Sequence, residues 1–298
     1  MIKRVLSLLT ALGALVATLV FLPAATASAA TCAPAWNSSS VYWGGNSASY
    51  NGHNWSAKWW TQNEKPGTVD VWADQGTCGT SGGGTDPGLP NPSGFVVSEA
   101  QFNQMFPNRN SFYTYSGLTA ALSAYPGFAK TGSDTVKKQE AAAFLANVSH
   151  ETGGLVHIVE QNTANYPHYC DTSQSYGCPA GQAAYYGRGP IQLSWNFNYK
   201  AAGDALGIDL LGNPWQVEQN AAIAWKTGLW YWNTQSGPGT MTPHNAMVNS
   251  AGFGQTIRSI NGSIECNGGN PAQVQSRIDK YRAFVQILGT TPGSNLSC

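Results

Sequence analysis

Two glutamates, Glu151 and Glu160, stand nine positions apart near the middle of the chain. Glu151 lies in Ser-His-Glu-Thr-Gly-Gly, residues 149–154, where an apolar stretch gives way to glycine. Two carboxyl groups can divide acid and base work between them when their surroundings keep one protonated and the other ionised. For an arbitrary pair of glutamates, ion pairs and exposed surface positions are the common outcome. The case for chemistry therefore depends on the rest of the chain.

The element that must position Glu151 is a predicted helix with Ser133 or Asp134 as its N-cap. Its apolar residues recur at steps of three and four, and a further step of three from Val148 reaches Glu151. We therefore expect Glu151 on the face that packs into the protein, where loss of hydration favours the neutral acid. Glu160 follows the glycines in a stretch without a helical repeat, and we expect it to face a cleft as an ionised base.

Residues 1–30 have the pattern of a secretory signal peptide. Lys3 and Arg4 precede an apolar run, and cleavage is expected near Ala29 or Ala30. No later run is long and apolar enough to span a bilayer, so we expect a secreted, extracellular protein with no membrane partner. Without the signal, 13 basic residues (15 minus 2) face 15 acidic ones. This low charge, without a basic cluster, argues against a nucleic-acid partner.

The six cysteines form an even set in a chain predicted to be exported, so disulfides are expected. Pairing by domain and then by nearness gives Cys32 with Cys78, Cys170 with Cys178, and Cys266 with Cys298, although sequence leaves other pairings open. A metal site is the weaker interpretation. No Cys-x-x-Cys occurs, and Gly154 stands where a zinc motif starting at His150 needs its second histidine. We expect neither a metal nor a cofactor.

Residues 31–79 are predicted to form a small, mostly β module rich in tryptophan, and a disulfide would offset its small core. Trp59 and Trp60 are adjacent on a predicted strand over 57–61, so at least one indole should be exposed. An exposed indole suits the apolar face of a sugar ring, and the alternative is that one ring is core and the other surface. Residues 80–93, rich in Gly, Ser, Thr and Pro, are predicted to be a linker.

Residues 94–298 are numerous enough for a substantial core, and their patterns are helical. Ser98 is expected to cap one helix, Asn213 to open a tryptophan-rich one through Trp232, and Asn270 to open the last, which stops at Gly289. Long polar loops separate these helices. The sequence therefore predicts a mainly α domain whose cleft is built from loops and helix ends.

Residues 185–199, Tyr-Tyr-Gly-Arg-Gly-Pro-Ile-Gln-Leu-Ser-Trp-Asn-Phe-Asn-Tyr, interleave polar and apolar side chains. The glycines permit close backbone approach, and the amides and hydroxyl can line a polar cleft. A glycine-rich turn with a buried amide network explains the same residues equally well.

Taken together, residues 149–154, Glu160 and residues 185–199 closely resemble glycoside hydrolase family 19, the lysozyme-like chitinases. Residues 225–230 (Trp-Lys-Thr-Gly-Leu-Trp), residues 259–262 with Glu265, and Arg277 extend the match. The first module resembles the chitin-binding modules of carbohydrate-binding family 5/12, mainly through Lys-Trp-Trp-Thr at residues 58–61. The whole architecture is similar to secreted two-module chitinases of actinobacteria.

The resemblance implies a loop-rich, lysozyme-like catalytic domain with a two-lobed cleft that cleaves β-1,4 linkages inside chitin with inversion. Glu151 would be the general acid, Glu160 the base, and Ser194 would help to hold the attacking water. Inversion requires carboxyl groups roughly 6.5 to 9.5 Å apart.

The resemblance also assigns supporting residues. Sugar contacts fall on Thr152, Tyr185, Gln192, Asn198, Lys226 and Asn261, a charged network behind the acid on Arg277 and Glu265, and chitin binding on Trp59 and Trp60. The segment before Tyr185 is short and unlike the plant loops, which leaves contacts from Tyr169 and Tyr176 open. The expected partners are chitin and its oligosaccharides, and the protein is expected to be a monomer. The alternatives are a peptidoglycan hydrolase and an inactive chitin-binding lectin.

Overall fold

A computed structural model describes residues 30–79, except 35, 39 and 52, and residues 94–298. The chain divides into two units, Met1–Thr85 and Asp86–Cys298. The predicted signal peptide, up to residue 29, and the predicted linker, 80–93, lie outside the described residues. None of the helices in the described ranges combines the length and apolar composition needed to cross a membrane.

The described part of the first unit contains short β-strands. They are β1 (Ala30–Thr31), β2 (Val41–Tyr42), β3 (Ser47–Tyr50), β4 (His53–Ala57), β5 (Thr61–Gln62) and β6 (Trp72–Gly79). One sheet has the order β1-β6-β4-β3, with β1 parallel to β6, and β2 pairs antiparallel with β5. Ala48, Ala57, Val71 and Trp72 form its small buried core. The disulfide between Cys32 and Cys78 joins the chain just after β1 to β6, which constrains the unfolded chain and supports this small core.

The strand predicted over residues 57–61 is wrong. β4 ends at Ala57, the chain bends at Lys58 and Trp59, and β5 begins at Thr61. Ala57 and Thr61 are buried and fix the two ends of this bend. The indoles of Trp59 and Trp60 are 56% and 50% exposed, so neither has the buried face that an alternating strand would give one of them.

The second unit is helical. Its helices are α1 (Glu99–Met105), α2 (Tyr115–Ala121), α3 (Asp134–Glu151), α4 (Asn196–Leu206), α5 (Gln216–Gln219), α6 (Ala221–Thr234), α7 (Pro243–Val248), α8 (Phe253–Glu265) and α9 (Pro271–Ile287). Two 3-10 helices cover Leu122–Ala124 and Thr163–Tyr169. α3 packs against α7, α8 and, most extensively, α9.

α3 is buried on more than one side. All residues from Ala141 to Ser149 are buried, not only the predicted apolar stripe. Phe144 on this helix has ring contacts with Phe128, Trp225 and Trp232 at centroid distances of 5.2, 6.1 and 5.4 Å. The end of α3 therefore continues directly from a fully buried, close-packed stretch of helix, which fixes its position.

Most predicted helix starts are confirmed. The Ser133 hydroxyl accepts the Val136 N–H at 3.3 Å, and the Asn270 side chain accepts the Gln273 N–H at 3.3 Å. The prediction that Asn213 opens the tryptophan-rich helix is wrong. Asn220 caps α6 instead, because its extended backbone (φ −128°, ψ 111°) separates α5 from α6.

The remaining predicted disulfides are also formed, Cys170 with Cys178 and Cys266 with Cys298. The first closes a small loop directly after the 3-10 helix that ends at Tyr169. The second ties the C-terminal residue to the end of α8. Each bridge therefore lies beside a segment that carries candidate site residues.

Candidate active site

Glu151 is the last residue of α3. Gly153 and Gly154 have φ of 62° and 84°, a left-handed conformation that suits glycine and lets the chain leave the helix sharply. The Gly154 N–H donates to the Ser149 carbonyl at 2.8 Å. The Glu151 side chain is 19% exposed, so it is held by the helix end without being fully removed from water.

The predicted charged network lies directly behind Glu151. Arg277 of α9 is 1% exposed, and its Nη2 donates to Oε1 of Glu151 at 2.5 Å and to Oε1 of Glu265 at 2.7 Å. Its Nε donates to Oε2 of Glu265 at 2.8 Å, and its Nη1 to Oδ1 of Asn147 at 3.1 Å. The planar guanidinium matches the Glu265 carboxylate with two hydrogen bonds, so the position of Arg277 against Glu151 is fixed.

The ionisable groups around Arg277 shift one another's pKa values. Burial alone raises the pKa of Glu265, but the hydrogen bond and charge of Arg277 outweigh it and hold this pKa below its ordinary value. Burial alone lowers the pKa of Arg277, while the charges of Glu151 and Glu265 raise it. Burial, assisted by the charge of Arg277, lowers the pKa of His150 to about 4. One permanent cation is therefore shared by two carboxyl groups, with a neutral imidazole alongside.

Glu160 is held differently. Its Oε1 accepts hydrogen bonds from Nδ2 of Asn165 at 2.8 Å and from the hydroxyl of Tyr169 at 3.0 Å. Its Oε2 has one distant donor, the Gly187 N–H at 3.5 Å. The Glu160 N–H donates to the Gly187 carbonyl at 2.8 Å. The donors are neutral, and only one of the two carboxylate oxygens is firmly held.

Arg188 organises the segment on which Glu160 lies. Its backbone forms isolated β-bridges with Val159 on one side and Leu193 on the other. Its buried guanidinium pairs with Glu218 at 3.0 Å and lies 3.5 Å from the ring centroid of Tyr186. Arg188 was not singled out from the sequence. Its position inside a glycine-rich motif is the signal that was available.

The glycine-rich segment carries Gln192 and Ser194, and Asn198 follows in the first turn of α4. Nε2 of Gln192 donates to the Gly189 carbonyl at 3.0 Å. A Cβ on Gly187 would lie 3.0 Å from Oε1 of Gln192, so glycine there permits the close approach of this amide. Nδ2 of Asn198 donates to the Ser194 carbonyl at 3.0 Å. Within the described part of the chain, the hydroxyl of Ser194 has no hydrogen-bond partner.

The predicted sugar contacts from Thr152 and Tyr185 are contradicted by burial, since both side chains are 0% exposed. The Thr152 hydroxyl donates to the Val148 carbonyl at 2.7 Å and accepts the Leu155 N–H at 2.7 Å. The Tyr185 hydroxyl donates to the Leu211 carbonyl at 2.8 Å. Both hydroxyls are occupied by hydrogen bonds to backbone groups, so these residues stabilise the fold around the site.

Asn261 of α8 and Tyr231 of α6 interact with the charged groups around Arg277. Asn261 has a non-helical φ of −145° inside α8, and its Nδ2 donates to Oε1 of Glu265 at 2.8 Å. Burial raises the pKa of Tyr231 in α6, and the charge of Glu151 adds to this rise. Lys226, also in α6, is half-buried and forms no ion pair with the described residues.

The sequence left Tyr169 open and did not single out Asn165, yet both contact Glu160. They lie at five and nine residues from it, on a 3-10 helix with Pro167 inside. A 3-10 helix has no 3.6-residue repeat, so periodicity gave no signal. The sequence signal that was available is Cys170, directly after Tyr169, because a disulfide there fixes the adjacent backbone.

Exposed indoles mark the first unit. Trp43 is 62% exposed, more than Trp59 or Trp60. A Cβ on Gly44 would lie 3.0 Å from the Lys58 carbonyl oxygen and 3.6 Å from Cα of Trp59. The turn that carries Trp43 therefore contacts the bend that carries the predicted pair. The sequence analysis did not assign Trp43 to this surface.

A helical domain with two glutamates in contrasting surroundings has the features of a glycoside hydrolase. The chain belongs to the chitinase class I family, glycoside hydrolase family 19, whose model matches residues 96–298. It is therefore a chitinase with a helical, lysozyme-like catalytic domain, and the predicted family, activity and substrate are confirmed.

Similar proteins include bacterial and plant chitinases. The crystal structure of chitinase C from Streptomyces griseus is 77% identical, covering 90% of this chain and 100% of that one, with a TM-score of 0.68. A bacterial family 19 chitinase is 82% identical over 68% of this chain and 100% of its own, with a TM-score of 0.68. Endochitinase A of Zea mays is 46% identical over 210 residues, which are 68% of this chain and 71% of that protein.

Proposed function

We propose that the protein is a secreted, monomeric endochitinase that inverts the anomeric carbon, with Glu151 as general acid and Glu160 as general base. The observation that carries this assignment is the contrast between the two carboxyl groups. Glu151 shares a buried guanidinium with Glu265. Glu160 accepts hydrogen bonds from neutral donors. Contrasting surroundings of this kind separate an acid from a base.

The charge balance around Arg277 supports the acid role. With Glu151 protonated, the cluster of Arg277 and Glu265 is an internally neutral ion pair. When Glu151 transfers its proton to the leaving oxygen, its new charge lies 2.5 Å from Nη2 of the same guanidinium. The cluster thus accommodates Glu151 both before and after proton transfer, as a general acid requires.

If Glu160 is the base, the attacking water lies beside the glycine-rich segment, residues 185–199. Glu160 removes a proton from a water on the face of the sugar opposite Glu151, and the Ser194 hydroxyl helps to hold that water. Gln192 and Asn198 contribute amides from the same segment, while Lys226 and Asn261 contact the sugar from α6 and α8. Each has a side chain that is not fully buried.

The test of mechanism is NMR observation of the first product anomer released from a chitin oligomer. We expect the α-anomer from a β-linked substrate. A β-anomer as the first product contradicts inversion. Glu151→Gln and Glu160→Gln should each reduce kcat by roughly a hundredfold or more, the scale of general acid–base catalysis. A folded variant with near-normal turnover refutes the corresponding role.

For the first unit we propose chitin binding through Trp59 and Trp60, supported by their exposure and by the neighbouring Trp43. Replacing both with alanine should weaken binding to crystalline chitin and leave hydrolysis of soluble oligomers unchanged. Trp215, 37% exposed in the second unit, provides a matched control for loss of a surface indole. Equal losses on crystalline and soluble substrates refute a separate binding module.

A further inference from the structure

The two oxygens of the Glu160 carboxylate are unequally held. Oε1 accepts two short hydrogen bonds, from Asn165 at 2.8 Å and Tyr169 at 3.0 Å. Oε2 has only the Gly187 N–H at 3.5 Å, which is at the limit of a hydrogen bond. A carboxylate anchored through one oxygen keeps the lone pairs of the other available, and its rotation is restricted.

The segment that supplies the two donors is itself fixed. The ring of Tyr166 stacks on that of Tyr186 at 3.7 Å with an interplanar angle of 11°. The Tyr166 hydroxyl donates to the Glu160 backbone carbonyl at 2.9 Å. The Tyr169 ring packs edge-on against Trp195 at 5.6 Å. Contacts from two directions thus hold the donors against Glu160.

The loop after Tyr169 adds a covalent constraint. The bridge between Cys170 and Cys178 closes this loop. Asn196, at the start of α4, donates from Nδ2 to the carbonyls of Asp171 and Gly177, both at 2.9 Å. The backbone next to Tyr169 is therefore attached to the same helix start that follows Ser194.

We propose that Asn165 and Tyr169 are positioning residues for the base, which fix Oε1 of Glu160 so that Oε2 is the atom that takes the proton from water. This inference rests on the proposed role of Glu160. Positioning of this kind matters because a misplacement of about 1 Å can cost roughly a hundredfold in rate.

The charged and titratable groups near Glu160 agree with these separate roles for Oε1 and Oε2. Among the described titratable side chains, Tyr166 and Tyr169 donate hydrogen bonds to Glu160, while Arg188 is directed to Glu218 and stacks on Tyr186. Burial raises the pKa of Tyr169 to about 12, and its hydrogen bond to Glu160 adds to the rise. The hydroxyl therefore stays protonated near neutral pH and can donate to Glu160.

The test is the pH dependence of kcat and KM on a soluble chitin oligomer for Tyr169→Phe and Asn165→Ala. Each change removes a donor that favours the ionised carboxylate. We expect kcat to fall roughly tenfold, KM to change less than twofold, and the acidic limb of the kcat/KM profile to move to higher pH. Tyr176→Phe, which removes a hydroxyl bonded to Gln174 in the same loop, is the matched control.

A cycle with Glu160→Gln separates this inference from the proposed function. If Glu160 is the base, Tyr169→Phe should have no further effect on kcat in the Glu160→Gln background. An active Glu160→Gln enzyme overturns the base assignment itself. An inactive Glu160→Gln enzyme combined with unshifted profiles in both donor variants overturns only the positioning role. A raised KM with unchanged kcat also overturns it, because it identifies Tyr169 as a sugar contact.

Discussion

The two halves of the site use similar parts in different ways. Each has a buried arginine and a disulfide beside it, Arg277 with Cys266 near Glu151 and Arg188 with Cys170 near Glu160. Arg277 contacts Glu151 directly. Arg188 is directed to a different carboxylate and leaves Glu160 to neutral donors.

The difference corresponds to the roles proposed for the two carboxyl groups. The acid side has to tolerate a carboxyl group that changes charge during the reaction, and an arginine shared by two carboxylates stabilises both states. The proposed base has to present one oxygen to a water, and two neutral donors, Asn165 and Tyr169, hold its other oxygen. The acid half is built from the ends of packed helices, and the base half from short bridges and a 3-10 helix.

The largest effect is expected from Arg277→Met. This change leaves the buried Glu265 and the partly buried Glu151 without their cation, and breaking a buried ion pair typically costs about 3 to 5 kcal/mol. Urea unfolding should show this loss, together with lower chitinase activity. Arg277→Lys keeps the positive charge but loses the forked geometry of the guanidinium. Its free energy of unfolding should therefore lie between those of the unchanged protein and Arg277→Met. A cost below 1 kcal/mol for Arg277→Met contradicts the acid-side cluster.

The two disulfides should separate stability from activity. The bridge from Cys266 to Cys298 spans 32 residues and that from Cys170 to Cys178 spans 8. The loop-entropy relation gives roughly 3 to 4 and 2 to 3 kcal/mol for their removal. We expect the paired alanine variant at 170 and 178 to lose the larger share of kcat, because that bridge adjoins Tyr169. Equal losses of kcat in the two paired variants contradict this.

Local signals in the sequence predicted local structure well. The caps at Ser98, Ser133 and Asn270 depend on residues within one turn, and these were read correctly. The ion pair between Glu151 and Arg277 spans 126 residues, and it was accessible only through resemblance to a family. No periodic pattern indicates which distant helix supplies a partner.

The failures have physical causes of their own. Thr152 and Tyr185 carry hydroxyls that suit a sugar as well as they suit a buried carbonyl, and only the packing decides between these partners. Asn165 and Tyr169 lie close to Glu160 in sequence, but a proline-containing 3-10 helix has no repeat to detect. The order of the motifs indicated which segments form the site. The type of a single residue did not distinguish a sugar contact from a buried hydrogen-bond donor.

A smaller loss is expected from Arg188→Met. Its partner Glu218 has a side chain that is 21% exposed, so the carboxylate can regain water when the guanidinium is removed. We expect a cost of about 2 to 3 kcal/mol, since carbonyl acceptors such as that of Ala184 also lose a donor. Urea unfolding beside Arg277→Met provides the comparison. A larger cost for Arg188→Met would reverse the proposed order of the two arginines.

The smallest effects concern two histidines, His150 near the cation Arg277 and His244 in contact with Glu140. Burial, helped by Arg277, lowers the pKa of His150 to about 4. The unfolded chain therefore takes up a proton that the folded chain refuses, and stability falls as pH drops from 6.5 towards 4. The hydrogen bond to the buried carboxylate of Glu140 raises the pKa of His244 despite its burial. Its contribution is present below pH 6.5 and is lost as pH rises through the raised pKa.

Replacing each histidine with glutamine should change the pH dependence of unfolding in opposite directions. His150→Gln removes a loss at acidic pH, and His244→Gln removes a gain there. Since both side chains keep some contact with water, we expect differences of about 1 to 2 kcal/mol between pH 4.5 and 7. Urea unfolding at several pH values measures them. The same sign in both variants would mean that the guanidinium of Arg277 and the carboxylate of Glu140 do not set the two histidine charges.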